Sequence, residues 1–193
     1  MVSLKSANCD IALIDGPNID GVLGQILQRQ PISEDRPQWD VVRECLQRIL
    51  GIQVPPMFVI DGTHSNERAY KFYRFLRSAQ FRLERRYPDL LLGHNSDPVD
   101  DFILGELDRV CDLAREGSRP RVVVVSHDHV YAPILQTILK FDGKVSIVGF
   151  HEELSPALLN LRSYGAELYD LEKDFRAFLK PLPRWYRGGS RRW

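Results

Sequence analysis

This sequence is short of cysteine, of long apolar runs and of repeats, and it has no excess of either charge. Its three cysteines, Cys9, Cys45 and Cys111, are widely scattered. Without CxxC spacing they form neither a disulfide framework nor a zinc knuckle. No window approaches the roughly 18 apolar residues that mark a membrane span, and the opening MVSLKSANCD lacks the apolar stretch of a signal peptide. The expectation is a cytoplasmic protein with no membrane partner. No internal repeat or low-complexity tract is present, and the composition excludes a disordered chain, a collagen-like fibre and a coiled coil. Lys and Arg total 26 against 26 Asp and Glu. A neutral sum excludes coating nucleic acid by bulk charge, although it leaves room for a local basic surface.

What remains is an ordinary globular composition. The chain has 193 residues, 44 % of them hydrophobic and 27 % charged, enough for one domain with a substantial core. We expect a single domain over residues 1–180, followed by a basic, aromatic tail over residues 181–193. The tail's arginines and aromatic residues show no periodicity. They read either as a partly ordered terminus or as an arm with Arg on phosphates and aromatics on bases.

Short apolar runs alternate with helical periodicity along the chain. Residues 10–15 read as a buried strand that closes on Asp-Gly-Pro-Asn. Residues 19–37 hold Gly21, Gly24, Pro31 and Pro37, so a helix there is expected to be short or interrupted. Trp39, Val42, Leu46, Ile49 and Leu50 follow helical spacing up to a stop at Gly51. A strand over 56–60 leads into a helix capped by Ser65 or Asn66, with Ala69, Phe72, Tyr73 and Leu76 as its buried stripe. Residues 81–85 alternate like an exposed strand. Asp97-Pro98 opens the next helix, whose apolar face is Val99, Ile103, Leu107, Val110 and Cys111. Residues 121–125 form the most β-branched run, as suits a central parallel strand. A helix with Tyr131, Ile134, Leu135, Ile138 and Leu139 on its apolar face follows. Next come a strand over 144–149, a helix over 156–164 and a short strand near 167–169. This alternation implies an α/β fold, with a parallel sheet between layers of helices.

Ligands of such sheets bind beyond the carboxyl ends of the strands, and here those ends carry acids. Asp15 ends the first strand, Asp61 the second, and Ser126-His127-Asp128 follows the valine-rich strand. Asp100 and Asp101 lie in the first turn of the helix opened by Asp97. Carboxylates gathered in one crevice repel one another unless a cation joins them, and hard oxygen donors suit Mg²⁺ or Mn²⁺. Each acid also has a plainer reading. Asp61, before Gly62, is better explained as a turn residue, and the acids at 97, 100 and 101 complement a helix N-terminus without any metal.

Taken in order, Ile14-Asp-Gly-Pro-Asn18, Val59-Ile-Asp-Gly62, Pro98-Val-Asp-Asp-Phe102, Val124-Val-Ser-His-Asp128 and Lys144-Val-Ser-Ile-Val-Gly149 resemble the NYN domain, a branch of the PIN-like metal-dependent ribonucleases. The likeness runs from about Asp10 to Asp170, with the late Leu-Tyr-Asp ending. It implies a PIN-like three-layer α/β/α sandwich around a mainly parallel sheet of five or six strands. Bacterial NYN proteins carry Ser-Gly-Asp-Ser-Asp-Phe where this chain has Ser126-His-Asp-His-Val-Tyr131, so Val130 replaces the second acid. That stretch is also similar to the Regnase-like endoribonucleases, which have one acid followed by an aromatic there and paired aspartates at the preceding helix start. The acid set implied by this resemblance is Asp15, Asp100, Asp101 and Asp128, serving as both catalytic residues and ligands of Mg²⁺ or Mn²⁺.

Around that set, Asn18 could fix a metal-bound water or a phosphate, or it could stabilise the turn. Ser126 could orient Asp128 or touch phosphate. His127 and His129 flank Asp128 as candidate phosphate contacts, and His64 is a more remote one. Arg68, Lys71, Arg74 and Arg77 form a basic helical stretch, either a solvated face or a surface for tracking phosphates. The expected activity is hydrolysis of single-stranded RNA by a metal-activated water, in a protein that could act as a homodimer. The alternatives are a catalytically inactive RNA-binding or adaptor module on the same fold, and a phosphohydrolase acting on a small ester.

Overall fold

A computed structural model describes residues 10–51, 53–63, 66–88 and 97–183. Six parallel strands form one sheet in the order β3-β2-β1-β4-β5-β6. Chain order runs β1 (Ile11–Asp15), α1 (Gly16–Leu27), α2 (Trp39–Leu50), β2 (Met57–Asp61), α3 (Glu67–Ser78) and β3 (Arg82–Arg86). It continues through α4 (Pro98–Arg115), β4 (Arg121–Val125), α5 (Ala132–Lys140), β5 (Lys144–Gly149), α6 (Pro156–Asn160) and β6 (Glu167–Asp170). The expected α/β sandwich is present, with six strands and all of them parallel. His64, Ser65, Cys9 and the tail over 184–193 lie outside the described residues.

The period of two along each strand divides the core into two slabs. Ala12, Ile14, Phe58, Ile60, Val123 and Val125 face α1, α2 and α3, and the chain after β6 packs into the same slab through Leu171, Phe175, Ala177 and Leu182. Ile11, Leu13, Met57, Val59, Val122 and Val124 face α4, α5 and α6 on the other side. By the same alternation Asp15 projects on the α4 side of the sheet. β1 and β4, which pair Leu13 with Val124 and Ile14 with Val125, are covered on both faces, and this explains their unbroken apolar runs.

Residues 19–37 are interrupted as expected, since α1 ends at Leu27 before Pro31 and Pro37, but Gly21 and Gly24 do not break the helix. Its buried stripe of Ile19, Leu23 and Ile26 outweighs a glycine cost of about 1 kcal/mol each. Gly16 is required where the helix begins, because a Cβ there would lie 2.5 Å from the Phe58 ring and 2.9 Å from the Val59 carbonyl. The other signals act as expected. Gly51 ends α2 in the left-handed region at φ 67°, the Asn66 side chain accepts from the Ala69 amide at the start of α3, and the Asp97 side chain accepts from the Val99 amide at the start of α4.

Candidate functional site

The chain lays β1, β2 and β3 outward in one direction and then returns to place β4 on the other side of β1. The crevice at a parallel sheet's ligand-binding pole opens at such a reversal. Here it is bordered by Asp15 on β1 and by the segment after β4. Asp15 is 3 % exposed. One of its oxygens accepts from the Asn18 amide at 3.1 Å. The other is 3.0 Å from Ser126 Oγ and 3.1 Å from the Tyr131 hydroxyl. That same hydroxyl is 2.6 Å from Asp100 Oδ1 at the start of α4.

A phenol has one proton, so Tyr131 can donate to only one of these carboxylates at a time. The shorter contact, to Asp100, takes it. The oxygen of Asp15 then faces the phenolic oxygen with no hydrogen between them unless Asp15 is itself protonated. Burial, and then the Asp100 charge, push the Asp15 carboxyl up to about 6, against the pull of the Asn18 backbone amide and the Ser126 hydroxyl. Burial also raises Asp100, and the charges of Asp97, Asp128 and Asp101 add to it. The phenol is held above its ordinary range by burial and by the two carboxylates.

Asp128 borders the same crevice. Its carboxylate caps the turn His129–Tyr131 by accepting from the Val130 amide at 3.0 Å. Its own amide donates to Ser126 Oγ at 3.2 Å, and that hydroxyl donates on to Asp15. Asp15, Ser126, Asp128, Tyr131 and Asp100 therefore form one connected polar network. Asp101 is on the exposed side of α4 and reaches the network only through its charge on Asp100. Asp61 makes a turn, accepting from the Thr63 amide and hydroxyl, each at 2.8 Å.

His127 corrects an expectation. It is 5 % exposed, and burial pushes its imidazole down to about 3, so it carries no charge to offer a phosphate. Its Nε2 accepts from the Phe150 amide at 2.8 Å, which places the proton on Nδ1. Nδ1 donates to Asn18 Oδ1 at 2.9 Å, and the His127 backbone amide donates to the same oxygen at 2.9 Å. The ring stacks on Phe150 with centroids 5.3 Å apart. It fits because residue 149 is glycine, where a Cβ would lie 2.9 Å from Nε2. His127 thus positions Asn18. With the oxygen committed, the Asn18 amide nitrogen makes no hydrogen bond among the described residues. His129 is exposed and stands 3.1 Å from Asp128 Oδ1.

The basic stretch is not brought to the acids. Arg68, Lys71, Arg74 and Arg77 are all exposed on α3, whose buried residues belong to the slab opposite α4. On the α4 side of the sheet the Arg86 guanidinium lies 3.6 Å from the Phe102 ring centroid and 3.7 Å from Glu84. Tyr131 was missed as a site residue because the sequence places it on an apolar helical face. The available signal is the hydroxyl, since a fully buried tyrosine needs a hydrogen-bond partner where phenylalanine does not.

Among the described residues, no group of three or more His, Cys, Asp or Glu side chains is already arranged to hold a metal ion. The donor chemistry nevertheless fits a hard cation: Asp15, Asp100 and Asp128 offer only oxygen, and two of them converge on one hydroxyl. No protein-family model matches this chain. No curated protein matches it either. No helix among the described residues is long and apolar enough to cross a membrane.

Proposed function

We propose that this protein is a Mg²⁺- or Mn²⁺-dependent nuclease of the PIN-like type, most simply an endoribonuclease hydrolysing single-stranded RNA. The observation that carries this reading is the Asp15–Tyr131–Asp100 contact at the sheet's reversal point. Two carboxylates share a single donor there, and burial holds Asp15 against ionisation. Either a proton or a cation relieves such a pair. Asp15, Asp100 and Asp128 would hold the ion, with Asp101 at the rim. A divalent cation there supplies charge neutralisation, polarisation of the phosphodiester and activation of water. Ser126 keeps Asp15 and Asp128 in register through its hydroxyl, and His127 fixes the Asn18 amide so that its nitrogen is offered to a phosphate oxygen. The Tyr131 hydroxyl sets the separation of Asp15 and Asp100.

The test is cleavage of labelled single-stranded RNA in Mg²⁺ or Mn²⁺ by the wild type and by Asp15→Asn and Asp128→Asn. The expected loss is at least about a hundredfold in kcat for each variant. Equal cleavage by all three proteins would remove these residues from the chemistry.

A second reading has its own support. Val130 stands where the NYN proteins that this chain resembles carry an acid, and the Tyr131 hydroxyl lies between the two carboxylates. On that reading the chain binds RNA without cutting it. Metal-independent RNA binding by a wild type that never cleaves would favour it.

A further inference from the structure

Several cations elsewhere in this protein have carboxylate partners, although Arg48, Lys140 and Arg162 have none among the described residues. Arg29 pairs with Asp35, Arg36 with Asp20, Arg109 with Glu106 and Arg115 with Asp112. On α3 only Lys71 does, through Glu67 at 2.8 Å. Arg68, Arg74 and Arg77 are exposed and have no carboxylate partner among the described residues. Between them lies Phe75, a large apolar side chain left 43 % exposed. It stacks on Phe72, with centroids 6.4 Å apart and planes at 22°. Phe72 is itself anchored edge-on to Phe58 of β2 at 5.8 Å, and Arg36 covers its ring at 5.1 Å. The outer aromatic face is thus tied through to the sheet. Lys71, Arg74, Phe75, Arg77 and Ser78 line a shallow depression of about 500 Å³.

We propose that the outward face of α3 is a holding surface for single-stranded nucleic acid, separate from the acid crevice. Arg68, Arg74 and Arg77 contact phosphates there, and Phe75 stacks a base. Unpaired guanidinium groups around a fixed aromatic plane are what a flexible polyanion with π faces recognises. A bilayer is the poorer fit, because one exposed phenylalanine offers too little apolar area to insert. The surface begins near the strand ends that carry Asp61 and descends the far side of the sheet from α4. From Arg68 to Arg77 it covers about 14 Å at 1.5 Å per residue. A strand lying on it is therefore held away from the reacting phosphodiester, and the α3 face affects affinity rather than chemistry.

This surface goes beyond the nuclease reading and is tested apart from it. A fluorescein-labelled oligouridylate is titrated by anisotropy in EDTA, where no cleavage occurs. Wild type and Asp15→Asn should bind alike. Arg74→Gln with Arg77→Gln should weaken binding and flatten the dependence of log K on log salt by about 1.4, at about 0.7 per cation removed. Phe75→Ala should weaken binding about five- to a hundredfold without changing that slope, and Phe75→Tyr should restore it. If the wild type cleaves RNA, the α3 variants should raise KM for long substrates and leave kcat unchanged. These side chains are exposed, and circular dichroism checks that the variants fold. Binding that all these variants leave intact would overturn the proposal. So would equal competition by polyglutamate, or Phe75-dependent capture on phosphatidylserine vesicles in place of the oligonucleotide.

Discussion

Two strands of this sheet end in nearly the same words, Leu-Ile-Asp at β1 and Leu-Tyr-Asp at β6, and both aspartates are buried. Their partners differ. Asp170 accepts from the backbone amides of Glu172, Lys173 and His151 at 2.9, 2.7 and 2.9 Å. Asp15 receives one amide and two hydroxyls, one of which it shares with Asp100. Backbone amides are fixed donors that favour a charged carboxylate. Hydroxyls rotate, and a shared one satisfies a single acceptor at a time. The aspartate saturated by amides is a structural corner, which turns the chain from β6 into the segment that packs into the core through Leu171 and Phe175. The aspartate short of donors and close to a second carboxylate is the one to which we assign the proposed cation.

The sharpest way to break this contrast is by pH. The carboxyl of Asp15 is raised from an ordinary 3.8 to about 6 in the folded chain. A raised carboxyl contributes stability that is complete below the unfolded value and is lost as pH rises through the folded one. Relative to the wild type, Asp15→Asn should therefore gain stability between about pH 4 and pH 7, by up to roughly 3 kcal/mol at 1.36 kcal/mol per unit. Urea unfolding of both proteins across that range measures it, and a flat difference would mean that burial leaves Asp15 unstrained. Asp170→Ala should instead destabilise by about 2 kcal/mol at neutral pH, because it strips three amides of their acceptor. It should leave any stabilisation by Mn²⁺ unchanged. The smallest expected effect is that of Tyr131→Phe, a loss of about 1 kcal/mol without metal. With the bridging hydroxyl gone, millimolar Mn²⁺ should raise the melting temperature of this variant more than that of the wild type. An equal rise would show that Tyr131 does not set the separation of the carboxylates.

Much of the fold was legible because the strands are short apolar runs with a period of two and the helices carry explicit caps. Asn66, Asp97 and Gly51 act where their local chemistry predicts. Helix α1 runs through Gly21 and Gly24 because glycine acts locally, whereas the burial of Ile19, Leu23 and Ile26 that overrides it is tertiary. At the site, the acids at strand ends stood out as residue types, yet their partners did not. Asp100 and Asp101 are neighbours in sequence, and only the docking of α4 through Val99 and Ile103 turns one toward Tyr131 and leaves the other in solvent. His127 and His129 look equivalent in the sequence, but one is sealed beneath Phe150 and the other is exposed.

Periodicity, caps and turn residues by themselves determined an alternating α/β chain with carboxylates at one pole. They act over a few residues, so they are written in consecutive letters. The tertiary structure decided that one phenol would stand between Asp15 and Asp100, and that the arginines of α3 would lie across the sheet from them. Contacts between residues 116 and 31 positions apart depend on strand order and helix docking, which no local pattern encodes.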